Sequence, residues 1–192
     1  MSELRHAIEK DNPDQLQLLL DMGHDVNERN EDGNSLLHIA GRVNVFKCTP
    51  LLVKKELNIR ERNISRKTPV DIAVIHNSVE FINSLIEKEI IDSNFIQDNK
   101  LLMLTTENNS VNILKEFLKL GADPHEKNWH GRTPLFIATE NDAFDVAEIL
   151  IQNGANVNSK DKEQETPLFP AVKENAIKTT RLLIENGANV NA

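Results

Sequence analysis

The sequence predicts an all-α solenoid, a stack of helix–turn–helix units that each carry an extended turn. Three observations predict it: a 33-residue beat, a helix-start device on that beat, and a helix-stop device keeping the same beat. The start device is "NSLLHIA" at Ser35, "KTPVDIA" at Thr68, "RTPLFIA" at Thr133 and "ETPLFPA" at Thr166. Ser35 and Thr68 are 33 residues apart, as are Thr133 and Thr166. The stop device is "GADPH" at Gly121 and "GANVN" at Gly154 and Gly187, each 33 apart, with "GHDVN" at Gly23. Two unrelated markers on one period exclude coincidence.

The chemistry of each marker names the element beside it. A Thr or Ser before an apolar run caps the orphan N–H groups of a helix, and proline at the first helical position loses no hydrogen bond. Glycine after the last apolar residue is a helix stop, because it enters the left-handed region without a Cβ clash. Two short helical patterns lie between these markers, as in "TPLFIATEND" and "AFDVAEILIQNG". In the second, Phe144, Val146, Ile149 and Leu150 recur at helical spacing on one face. Such a unit is too small to bury its own apolar face, so stacked neighbours supply the core.

These residues resemble the ankyrin repeat, with its T-P-L-H-x-A start, its D-x-x-G turn and its L-L-x-x-G-A-x-V-N end. The matching stretches here are "DGNSLLHIA", "TPLFIATEN", "ILIQNGANVN" and "LLIENGANVN", and the resemblance covers essentially the whole chain. It implies an ankyrin-repeat solenoid whose turns project as β-turn fingers. A single repeat domain over 1–192 is expected, divided at about 1–30, 31–63, 64–95, 96–128, 129–161 and 162–192.

The units in order depart from the pattern in specific places. Met1 leads directly into a first helix with Ser2 as cap, and Asn12-Pro13 starts the second. Glu3, Arg5 and Glu9 suit a water-facing N-terminal capping repeat. In the second unit the stop glycine is replaced by Glu56, and Thr49-Pro50 reads as a late helix start that shortens the second helix. The third unit replaces its stop glycine by Glu89. In the fourth, Lys100-Leu101 fills the Thr-Pro slot one residue early, and cap, proline and turn glycine are lost together. An irregular junction is expected near 89–100, either as drift tolerated by packing or as a hinge with a binding role. The last unit leaves Leu168, Val172, Leu182 and Leu183 without a successor, which predicts the N-terminal part of a longer protein. A self-capped terminus or a dimer through this end is the alternative.

Composition narrows the function classes. A net charge of −8 opposes nucleic acid and anionic membrane as partners. No run approaches the roughly 20 apolar residues of a membrane span, and the N-terminus lacks a signal-peptide core. The single Cys48 reads as a buried hydrophobe in a reducing, cytoplasmic setting. The six histidines form no metal or catalytic spacing, and no phosphate loop or nucleophile elbow occurs. No catalytic residue, cofactor or metal ligand is therefore assigned. The resemblance gives His38 a structural role, tying adjacent turns.

The expected function is a protein–protein interaction module, an adaptor or scaffold that binds a protein partner through fingers and first helices and acts as a monomer. By position, the resemblance nominates Glu31, Asp32, Asn34 and Ile39 in the second unit, and Ile64, Ser65, Lys67 and Ile72 in the third. It nominates Ile96, Gln97, Asn99 and Leu104 in the fourth, Trp129, His130, Arg132, Ile137 and Glu140 in the fifth, and Lys162, Glu163 and Glu165 in the sixth. Trp129, the only tryptophan, stands out because Trp and Arg dominate binding hot spots. The alternative for it is a ring lying over a neighbouring finger. Lys54, Lys55, Arg60, Arg62, Arg66 and Lys67 form either a patch for an acidic partner or a solvated loop offset by Glu56 and Glu61. Asn27, Asn158 and Asn191 sit where the resemblance places a structural asparagine that animal cells can hydroxylate. Richness in Asn, Ile and Lys hints at an AT-rich genome, and with it an effector secreted into host cytosol. The second function class is a regulatory or substrate-presenting domain of an enzyme whose catalytic part lies beyond residue 192.

Overall fold

The structure, a computed structural model, describes residues 2–55 and 57–191. Thirteen α-helices and no strand occur among the described residues, and they gather into two compact units, Met1–Asp92 and Ser93–Ala192. The first unit holds α1 (Glu3–Glu9), α2 (Pro13–Asp21), α3 (Leu36–Val43), α4 (Thr49–Lys54), α5 (Pro69–Ile75) and α6 (Val79–Glu87). The second holds α7 (Ser93–Asp98), α8 (Leu101–Glu107), α9 (Val111–Lys119), α10 (Pro134–Glu140), α11 (Phe144–Gln152), α12 (Leu168–Lys173) and α13 (Ile177–Glu185).

Within each repeat a short first helix packs against a second one, and first helices pack on first helices of the next repeat, as α3 does on α5 and α10 on α12. Leu4, Leu36, Leu37, Leu52, Leu85, Leu114, Leu135 and Leu150 are fully buried, with Phe81, Phe117 and Phe136 as the largest core side chains. Gly41 marks how close α3 and α5 approach: a Cβ there would stand 2.7 Å from the Pro69 carbonyl oxygen.

The start devices work as the sequence predicts in most repeats. Ser2 accepts from the Arg5 N–H at 3.2 Å, Asn12 from Gln15 at 3.1 Å, and Thr133 from Phe136 at 3.3 Å. Thr68 and Asp71 form a reciprocal capping box, at 3.1 and 2.8 Å. The stop glycines Gly23, Gly121, Gly154 and Gly187 all lie at φ between +87° and +89°. Glu89 takes the same left-handed turn, φ 56°, without being glycine, while Glu56 and Met1 lie outside the described residues.

Two defects are repaired by distant carboxylates. Helix α4 has six residues where the other second helices have nine, as Pro50 predicts. Thr49 does not cap it, since its hydroxyl donates to the Val45 carbonyl at 2.7 Å. Asp11, from the first repeat, instead accepts from the N–H groups of Lys47 (3.2 Å) and Cys48 (2.9 Å). Helix α8 begins after Lys100 at φ 51° and has no local cap. The Glu126 carboxylate, beyond α9, accepts from the Met103 N–H at 2.8 Å and fills the role.

The structure departs from the sequence pattern in three places. The fourth repeat has no finger: α7 occupies that place and buries Phe95 and Ile96. The first repeat carries exposed apolar side chains beside its polar ones, with Leu18 59% and Met22 68% exposed. At the other end Leu183 is buried and Leu168 and Leu182 are half-buried; Phe169, Val172, Ile177, Ile184 and Val190 are the exposed ones.

Candidate protein-binding surface

Each finger is a five-residue loop closed by one Asn or Asp. Asn30 accepts from the N–H groups of Asp32 and Asn34, at 3.0 and 2.8 Å. Asn128 accepts from His130 and Arg132, at 3.0 and 3.1 Å, and Asp161 from Glu163 and Glu165, both at 3.0 Å. Asn63 accepts from Lys67 at 2.9 Å. Backbone bonds clasp the bases of the loops, Asn128 N–H to Arg132 O and Asp161 N–H to Glu165 O, both 3.0 Å. Such Asx loops hold their tips rigidly because the side chain satisfies donors the turn would otherwise orphan. The residue 33 after Asn63 is Ile96, an apolar side chain that cannot close a loop, and there the chain becomes α7.

Neighbouring fingers are tied to one another. Ile64 N–H donates to Asp32 O at 3.1 Å, and Lys162 N–H donates to His130 O at 3.0 Å. The Asn63 amide donates to the Asn34 side chain at 2.7 Å. His38, buried in α3, meets Ser35 through Nδ1 and the Lys67 carbonyl through Nε2 at 2.9 Å. A carbonyl accepts, so Nε2 carries the proton; the Ser35 backbone N–H donates to Nδ1 at 3.2 Å, so that nitrogen is bare and the ring is neutral. Burial lowers its pKa, against the Lys67 bond that raises it. This is the structural role expected of His38.

Arg132, expected beside Trp129 on the binding surface, does the same work in the fifth repeat, its guanidinium engaged within the chain. Its Nε donates to Asp161 at 3.2 Å, its Nη1 donates to Glu140 at 3.0 Å, and its guanidinium stacks 4.7 Å over the Phe136 ring. The Asp161 side chain is fully buried, so Arg132 neutralises a charge that water cannot reach. Glu140 is thereby engaged too. Ile137 and Ile39, expected to line the groove, lie in the core. Asn99, expected on a finger, donates to the Phe95 carbonyl at 2.7 Å and finishes α7. Asn34 is spent on Asn63, and Lys67 is half-buried with its carbonyl on His38.

The exposed tips remain. Trp129 is 75% exposed, its ring lying against His130 of the same finger with centroids 3.2 Å apart. Ile64, at the matching place of the third repeat, is 74% exposed. Glu31, Asp32, Lys162 and Glu163 are exposed, and Glu165 is half-buried. Of the basic group, Lys54, Lys55, Arg60, Arg62 and Arg66 are exposed, and Glu61 is bonded to Arg29. Asn158 bridges to the last repeat, accepting from the Asn189 N–H at 2.7 Å and donating to Gly187 O at 3.0 Å. Burial pushes the Cys48 thiol up to about 12, which makes it an inert core side chain.

The sequence signal for the fingers, which the start and stop devices do not carry, is the Asx beat itself, Asn30 and Asn63, then Asn128 and Asp161, each pair 33 apart. It marks which repeats own a finger.

Comparison with known proteins agrees with this geometry. The family model described as ankyrin repeats (three copies) matches residues 4–97 and 102–192. The human transient receptor potential cation channel subfamily A member 1 is 31% identical over 113 residues, 57% of this chain and 10% of the channel. The chain thus spans about a tenth of that curated relative. The solved ankyrin repeat domain of Bcl-3, of the IkappaB family, superposes with a TM-score of 0.79 at 22% identity, covering 98% of this chain and 87% of its own. The human ASB11 ankyrin repeat domain gives 0.79 at 21%, covering 100% and 86%. A chain of the complex between the predatory endopeptidase Bd0816 of Bdellovibrio bacteriovorus and immunity protein Bd3460 gives 0.71 at 22%, covering 96% and 98%. At such identities the structures share the fold. With the family model matching nearly end to end, the chain belongs to the ankyrin-repeat family.

Proposed function

We propose that this chain is an adaptor that recruits a protein partner through its fingertips, with Trp129 as the anchor. Ankyrin repeats are protein–protein interaction modules, typically without catalysis of their own. The observation that carries the reading is a tryptophan 75% exposed at the tip of a loop closed by Asn128 and tied to the sixth finger. A large aromatic on a rigid loop loses little conformational freedom on binding, which is why Trp anchors so many interfaces. His130 backs the ring, and Lys162 and Glu163 form a polar rim beside it. Glu31, Asp32 and Ile64 offer a second set of tips in the first compact unit. Arg132, Glu140, Asn34, Asn99, Ile137 and Lys67 act indirectly, by holding the scaffold.

The net charge of −8 supports a protein rather than a nucleic acid as partner, and an unpaired, buried Cys48 suits the cytoplasm. A second reading, a regulatory module of a longer polypeptide, is favoured by the human channel, in which the matching stretch is about a tenth of the length. An affinity pulldown with quantitative mass spectrometry, comparing the native chain with Trp129→Ala, tests the proposal. A partner enriched by the native chain and lost with the variant supports it. A partner set unchanged by the variant removes the anchor role. A host protein among the partners identifies an effector, and a protein of the chain's own cell an adaptor or scaffold.

A further inference from the structure

The third finger is built like the second and charged unlike it. In both, an arginine stands just before the closing Asn and folds back over its own loop. The Arg29 Nη1 donates to the Gly33 carbonyl at 3.4 Å, and the Arg62 Nη1 donates to the Arg66 carbonyl at 2.7 Å. A guanidinium is a fork, so Nη2 is left for another acceptor. For Arg29 that acceptor is the Glu61 carboxylate. The residue 33 after Glu61 is Asn94, which bears no charge. Arg62 is exposed and has no ion pair among the described residues. In the fifth and sixth fingers Lys127 and Lys160 hold this place, and a lysine offers no fork.

The rest of the third finger adds positive charge around one apolar tip. Arg66 is exposed at φ 59°, where Gly33 and Gly131 stand in the second and fifth fingers and Gln164 in the sixth. Ile64, 74% exposed, lies over the second finger, since a Cβ on Gly33 would stand 3.1 Å from its Cγ1. Glu61 is the one carboxylate of the stretch "RERNISRK", and it is spent on Arg29. The second finger, next to it, carries the exposed Glu31 and Asp32. A nucleic acid, charged at every step, would bring phosphates against that pair. A peptide can set one carboxylate on Arg62 and keep charge away from Glu31 and Asp32.

We infer that the third finger binds a peptide segment of a partner protein that carries an aliphatic side chain with an Asp or Glu beside it. The aliphatic group covers Ile64, and the carboxylate takes the open edge of Arg62, next to Arg66. It stands to Arg62 as Glu61 stands to Arg29, in a charge-assisted pair whose fork geometry selects a carboxylate. This surface lies wholly in the first compact unit and does not depend on Trp129, which lies in the second.

A phage library of random peptides about 12 residues long, selected on the native chain and counter-screened on an Arg62→Ala, Arg66→Gly double variant, tests it. Both substitutions leave the finger closed. Asn63 keeps its bonds to the Lys67 N–H and carbonyl, at 2.9 and 3.0 Å, and glycine takes φ 59° without a Cβ clash. Circular dichroism therefore stays native. Peptides held by the native chain and released by the variant are expected to share an Asp or Glu next to Ile, Leu or Val. A synthetic copy, followed by fluorescence anisotropy, should bind the double variant at least about tenfold more weakly. Replacing its carboxylate by the matching amide should cost as much, and Trp129→Ala should change affinity by less than about twofold. The inference is overturned if no peptide separates the native chain from the variant, or if those that do lack a carboxylate. A fluorescein-labelled single-stranded DNA that binds more tightly than the peptide also overturns it. A peptide lost with Trp129→Ala and kept by the double variant supports the Trp129 anchor and sinks this inference.

Discussion

The fourth and fifth repeats pack side by side, α8 on α10, yet only the fifth matches the repeat pattern at every marker. In the fifth, Asn128 closes a finger, Thr133 caps α10 and Gly154 ends α11. In the fourth, Ile96 replaces the finger-closing Asx, α7 fills the space, and Lys100 stands where the cap should be. Both repeats nevertheless fold as helix pairs, because Glu126 supplies the hydrogen bond that the missing cap would have given Met103. What these two repeats share is a side-chain acceptor for an N–H in the first turn of the first helix, wherever that acceptor comes from. The motif letters are one way of providing it.

The comparison breaks most readily at Arg132. Arg132→Ala strands Asp161 as a buried carboxylate without its cation, and about 2–3 kcal/mol of stability should go, read by urea unfolding. A loss near zero would mean that the Asx bonds and the Lys162–His130 backbone bond hold the fifth finger without the ion pair.

The two caps should then prove equivalent. Thr133→Ala and Glu126→Ala should each cost about 1 kcal/mol, with faster hydrogen exchange at Phe136 and Met103 respectively. If only Thr133→Ala has an effect, the fourth repeat is held by packing and the carboxylate is incidental. Glu126→Gln sharpens this further. Burial pushes the Glu126 carboxyl up, so its charge is a burden there, and the amide oxygen can still accept. The swap should change stability by less than about 0.5 kcal/mol.

The smallest effect is one of pH. His38 ties α3 to the third finger in the neutral form, and burial holds its folded pKa below the ordinary imidazole value of about 6.5. The unfolded chain therefore takes up a proton first as pH falls. Stability from this group is complete above about 6.5 and is lost as pH drops through the folded pKa. Thermal unfolding followed from pH 7.5 to 5 should show this slope, and His38→Gln should flatten it. In the fifth repeat the corresponding tie is made by Arg132, which keeps its charge throughout.

The fold was legible because its markers are local. A Thr-Pro start, a glycine stop and a 33-residue beat each lie within a few residues of the helix end they govern. Even the shortening at Pro50 could be read, since proline acts on its own helix. The candidate surface was less legible, because its residues are decided by partners a repeat away. Arg132 looks free until Asp161, 29 residues on, is placed beside it. Ile39 and Ile137 look like groove residues until first helices pack closely enough to bury them. Trp129 was the exception. No local device needs it, and the folded chain leaves it in water.

Affinity for the captured partner, measured for the native chain and for Trp129→Ala, tests the adaptor proposal most directly, with Lys162→Ala as a control on the adjacent finger. The account predicts at least a tenfold loss for Trp129→Ala, about 1.4 kcal/mol, and less than about threefold for Lys162→Ala. An affinity within about twofold of native for Trp129→Ala, with the helical fold intact, would contradict it.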